Sequence, residues 1–162
     1  MKNISLEYIM NHKFQKTGLE NPYYEKPETS GRFAPEKLKT LPGSDTAKMQ
    51  ELKIKLDRII YDKNISNSSF ESRTNIKMNT IRKSINSPSG RRIPRITIAK
   101  FVIGLKLSID EANELFALES YPLLPEMVLL DAVVVHCLQN HYDIDEFFET
   151  CDQVALDIKA VE

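Results

Sequence analysis

Three times along this chain a short polar residue is followed, three positions on, by a glutamate and then by apolar residues: Ser68-x-x-Glu71, Ser108-x-x-Glu111 and Asp143-x-x-Glu146. In such a box the first side chain accepts from a backbone N–H one turn into a helix. The glutamate reaches back to the N–H of the capping residue, so each box marks a helix start. Apolar residues around these marks recur at helical spacing. Met49, Leu52, Leu56, Ile59 and Ile60 follow a cap at Ser44 or Asp45. Ile96, Ala99, Val102, Ile103 and Leu105 follow Pro94, well suited to a first helical turn. Ala112, Leu115, Phe116 and Leu118 lead from the second box, and Phe147, Cys151, Val154, Ala155 and Ile158 from the third. Connections are short, and the absence of Trp, the five Gly and the scarcity of β-branched runs give a sheet little support. The expected fold class is all-α.

Periodicity starts only after about residue 45. Before it lie Pro22, Pro27, Pro35 and Pro42 with Gly18, Gly31 and Gly43, which reads as a flexible, proline-containing N-terminal arm over 1–45; Tyr23, Tyr24 and Phe33 give it groups able to dock. A helical domain over 46–121 and a C-terminal helical pair over 122–162 follow, within a length that suits one compact domain and an appendage. The opening MKNISLEYIMNHKF lacks the apolar run of a signal peptide, and MVLLDAVVVHCL is too short to span a bilayer. No membrane and a cytoplasmic location are expected, with Cys137 and Cys151 as free thiols.

The formal net charge is −1, but its distribution is uneven. From Arg73 to Ser108 there are nine Lys or Arg and no acid, whereas from Ile109 to Glu162 thirteen acids face a single base, Lys159. A basic middle of this kind suits a polyanion, because one misplaced carboxylate would repel it.

Two short helices joined at Asn75, a basic loop and a proline-started helix follow one another here. Phe70, Asn75, Ile76, Thr80-Ile81, Pro94 and the run Leu105-Lys106-Leu107-Ser108-Ile109-Asp110-Glu111 occupy characteristic places. In these residues the stretch 67–116 resembles the phage-repressor family of helix-turn-helix domains, of the Cro-like or XRE type. It departs from that pattern at Glu71, where the family has a small residue, and at Thr74, where it has an apolar one.

The resemblance implies a lambda-repressor-like bundle with an irregular arm and two extra C-terminal helices. It also implies a sequence-specific transcriptional regulator on double-stranded DNA, in a phage or mobile-element setting. The recognition helix, about 78–86, would lie in the major groove with Asn79, Thr80, Arg82 and Lys83 at base edges. Asn67, Lys77, Arg91, Arg92 and Arg95 would contact phosphates.

The helix from Met127 to His141 is apolar nearly all round, so it is either a core helix or half buried in a partner. The second case gives a homodimer interface with Val128, Leu129, Val133 and Leu138. His136, Cys137 and His141 lack a fourth ligand in zinc spacing, the acids of 143–149 lack a calcium loop's order, and Ser87-Pro-Ser-Gly90 is not a phosphate loop. No cofactor, metal or enzymatic chemistry is expected. The alternative function is a helix-turn-helix fold used as an interaction or anti-defence adaptor through the acidic C-terminal third or the arm.

Overall fold

The computed structural model describes residues 1–20, 43–88 and 91–161, and its regular structure is helical. The helices are α1 (Leu6–Asn11), α2 (Gly43–Lys63), α3 (Asn67–Thr74), α4 (Met78–Asn86), α5 (Arg95–Gly104), α6 (Ile109–Glu119), α7 (Leu129–Gln139) and α8 (Ile144–Gln153), closed by a 3-10 turn, Ile158–Val161. Among the described residues the one bridge of β type is isolated, Lys16 to Val128.

Two of the three capping boxes form in full. Ser108 and Glu111 exchange bonds at the start of α6, and Asp143 and Glu146 do so at the start of α8. The third is displaced. Ser66 caps α3 by accepting from Ser69 N at 3.1 Å, so the helix opens at Asn67 and Glu71 is released for another task. Three helices then end alike. Lys106, His141 and Ala155 turn left-handed, and the next residue donates five positions back: Leu107 to Val102, Tyr142 to Cys137, and Leu156 to Cys151.

The centre is built on α5 and α7, whose sequences are apolar on nearly every side. Helix α5 packs against α3, α6, α7 and α8, while α2 lies on α4 and α6. One continuous apolar core runs from Ile4 to Ile158. The C-terminal helices α7 and α8 pack on α5 and complete the core around it.

Burial also removes most of the expected dimer interface. Val128 and Val133 are fully buried and Leu138 nearly so, while Leu129 is half-buried against the same core. An all-round apolar helix satisfied inside its own chain has no face left for a second one.

The expected arm is corrected over its first twenty residues. Gln15 N and Lys16 N donate to Met127 O at 2.8 and 3.3 Å, and Leu129 N and Leu130 N donate to Lys16 O and Thr17 O. Ile4 is buried, with its backbone held by Gln139 and by His136 Nδ1 at 2.7 Å. Gly18 has φ +90°, and a Cβ there would stand 2.7 Å from Val128 Cγ1, so glycine is required both by conformation and by space. Backbone pairing and a buried isoleucine outweigh the lack of periodicity. All four prolines of the expected arm, with Tyr23, Tyr24 and Phe33, lie outside the described residues, as do Ser89 and Gly90.

Candidate nucleic-acid interface

Helices α3 and α4 are joined by a short turn whose geometry follows from four residues. Asn75 adopts φ 56°, ψ 30° and donates its N–H to Glu71 O at 2.9 Å; asparagine tolerates this left-handed conformation better than other residues with a Cβ. Thr74 is fully buried, but its hydroxyl donates to Phe70 O at 2.8 Å and accepts from Ile76 N at 3.1 Å. Glu71 Oε2 accepts from Met78 N at 2.9 Å, which caps α4 where Lys77 supplies no side-chain cap. The two departures from the repressor pattern thus each satisfy a backbone group of the turn.

Close approach is provided by a fourth residue, Gly104. A Cβ there would meet Arg73 O at 2.4 Å and Thr74 Cα at 2.7 Å. The end of α3 is therefore seated on the glycine of α5, and large side chains in α3 are accommodated outside that contact.

Helix α4 is sharply amphipathic. Met78 and Ile81 are buried and Ile85 packs partly on the core, while Asn79, Thr80 and Lys83 are exposed on the opposite face with Lys77 just before them. Asn67, at the start of α3, and Arg91, in the loop after α4, are exposed as well. Six of the nine expected contact residues are therefore open to solvent. Asn75, Lys77, Thr80, Ser84, Thr97 and Lys100 line part of a groove of about 330 Å³ between α4 and α5.

The other three differ. Arg82 is half-exposed and forms an ion pair with Asp57 of α2, so it is partly committed to tying α2 to α4. Arg92 is mostly buried, with its guanidinium on Glu119. Arg95 is 4% exposed, and all five of its N–H groups are used. Nε and Nη2 grip Asp131 at 3.0 and 2.7 Å, Nη1 reaches Glu119 at 2.9 Å and Tyr121 O at 2.9 Å, and Nη2 also reaches Pro122 O at 3.2 Å. The Tyr121 ring stacks 3.7 Å from its guanidinium carbon. Arg92 and Arg95 are therefore not phosphate contacts. The acids of α6 and α7 turn inward and take them, because a buried carboxylate needs a buried cation. Burial pushes the Asp131 carboxyl above its ordinary value, while Arg95 and the Leu124 N–H pull it back.

One basic residue that spacing does not single out belongs to this surface. Lys53 of α2 is 4% exposed and donates to Ser87 Oγ at 3.0 Å and Pro88 O at 2.9 Å, which holds the start of the loop carrying Arg91. Burial, and then the neighbouring Arg91 charge, lower its ammonium below the usual lysine value. Only its place on the inward side of α2, between Leu52 and Leu56, hints at this in the sequence.

His136, Cys137 and His141 do not converge on one point of charge. His136 faces the Ile4 carbonyl, Cys137 is buried near Thr150, and His141 is exposed in the turn after α7. No protein-family model, curated protein or solved structure matches the chain.

Proposed function

We propose that this chain is a DNA-binding regulator of the repressor-like helix-turn-helix type, with α3 and α4 as the two helices of the motif and α4 in the major groove. One observation carries the reading. The outward face of α4 presents Lys77, Asn79, Thr80 and Lys83 together, in a stretch from Arg73 to Ser108 that contains no acid. Asn79 suits an adenine edge, Lys83 a guanine edge, and the Thr80 methyl a thymine methyl. Asn67, Lys77 and Arg91 are the phosphate contacts in this reading, and Arg82 reaches the groove only by leaving Asp57.

The test is fluorescence anisotropy with duplex DNA across a salt series. Three cations of this face (Lys77, Lys83 and Arg91) correspond to a log–log slope of about −3. A Lys77→Ala/Arg91→Ala double variant should flatten that slope by roughly two units. Absence of salt-sensitive binding at about 50 mM salt ends the reading.

A specific observation favours a second reading. Arg82 and Arg92 are spent on Asp57 and Glu119, while α6 and α8 expose Asp110, Glu111, Glu114, Asp145, Glu149 and Asp152. Such an acidic surface suits a protein-binding adaptor with a basic partner.

A further inference from the structure

Helix α2 is 21 residues long and buries only one side, through Met49, Leu52, Lys53, Leu56 and Ile60. Its outer side is less polar than a solvated helix face requires. Ile54 is 59% exposed and Tyr61 82% exposed, seven residues apart on one line. Ala47, Glu51, Ile54, Arg58 and Tyr61 are all exposed and follow one another at intervals of four, three, four and three. That is the 3.5-residue repeat of a helix seam, not the scatter of isolated surface residues.

We propose that this stripe is a homodimer interface, in which α2 packs antiparallel against α2 of a second copy about a two-fold axis at Ile54. Antiparallel pairing about that point sets residues at equal distances on either side of Ile54 against each other. Ile54 meets its own copy, and Ala47, seven residues before, faces Tyr61, seven after, so that the smallest side chain of the stripe receives the largest. Glu51, three before, comes beside Arg58, four after, and symmetry makes this ion pair twice.

Charge selects the orientation and the partner. A parallel pairing would place Glu51 on Glu51 and Arg58 on Arg58, which repels along the seam. Two of the charges bordering the stripe are paired within the chain: Lys55 with Glu114 at 2.8 Å on the α6 side, and Asp57 with Arg82 on the α4 side. Neither Glu51 nor Arg58 enters a salt bridge among the described residues. From Ala47 to Tyr61 the seam runs about 21 Å, at 1.5 Å per residue. One helix pair of that length is at the small end of specific interfaces, so a weak, concentration-dependent dimer is expected. The inference does not depend on DNA binding.

The experiment is sedimentation equilibrium on the full chain and on charge-swapped variants, with circular dichroism to confirm that each is folded. Wild type should form a dimer. Glu51→Arg and Arg58→Glu should each weaken self-association about tenfold or more, because each turns two attractive pairs into repulsive ones. Mixing these two variants should restore association as a heterodimer, and the double variant E51R/R58E should recover the homodimer. A wild type that stays monomeric to about 1 mM overturns the proposal, whether residues 21–42 or another protein are what cover the stripe. A dimer that is indifferent to the swaps overturns it equally, since it uses another face.

Discussion

Arg91, Arg92 and Arg95 lie within five positions of one another and meet different surroundings. Arg91 is exposed, Arg92 lies mostly buried on Glu119, and Arg95 is enclosed by two carboxylates and two carbonyl groups. Their effects on substitution should separate accordingly. Arg95→Ala leaves Asp131 and Glu119 buried without their common cation and is expected to cost about 3–5 kcal/mol of stability. Arg91→Ala is expected to change stability by less than about 0.5 kcal/mol while, under the proposed function, weakening DNA binding. Urea denaturation of both variants, beside anisotropy, distinguishes the roles. A composition count treats the three arginines alike because it sees charge; which of them faces a carboxylate depends on α6 and α7 folding over α5, with partners 24 and 36 positions beyond Arg95.

The α3–α4 pair shows what an element inherits from its neighbours. Its turn is local, and Asn75 with its left-handed backbone was readable because the conformation is a property of that residue and the bond to Glu71 spans four positions. The α3 start was harder. Ser66, Ser68 and Ser69 are all competent caps, and the choice of Ser66 follows from placing Phe70 and Thr74 on the core side. The close approach lies thirty residues away, at Gly104. Gly104→Ala forces the α5 backbone off Arg73 and Thr74, and an overpacked contact of this kind is expected to cost about 1–3 kcal/mol. Because the displaced segment is the one that aims α4, the proposed DNA binding implies an affinity that falls further than the loss of folded protein explains. Thermal melts and binding at a temperature where both proteins are folded measure the two effects apart.

Over the whole molecule, α7 and α8 enclose both thiols. Burial pushes Cys137 and Cys151 up to about 12 each, from an ordinary value near 9, so both stay protonated in the folded protein while the unfolded chain ionises first. The unfolded state then binds fewer protons above about pH 9, and stability falls as pH rises from there toward 12. Tyr121, raised chiefly by burial, and Lys55, raised by its bond to Glu114, act in the same sense, and Lys53, lowered by burial, acts in the opposite one. Urea midpoints measured from pH 7 to 10.5 should decline above pH 9. A thiol reagent at pH 8 should label neither cysteine until the protein unfolds. A flat profile with rapid labelling would place the two sulfurs at the surface.

The sequence by itself determined the helices, most of their starts and the segregation of charge, because caps, turns and amphipathic repeats act over three to seven residues and carry their physics locally. It also marked Asn79, Arg82 and Lys83, with Thr80 beside them, as one exposed face of a helix; Asn79, Thr80 and Lys83 are exposed there, while Arg82 turns to Asp57. Only the tertiary structure decided that the first twenty residues belong to the core, that α7 is internal, and that Arg92 and Arg95 serve Glu119 and Asp131. Those outcomes depend on which distant surfaces exclude water from each other. A charge read along the chain has no dielectric until something is packed on top of it.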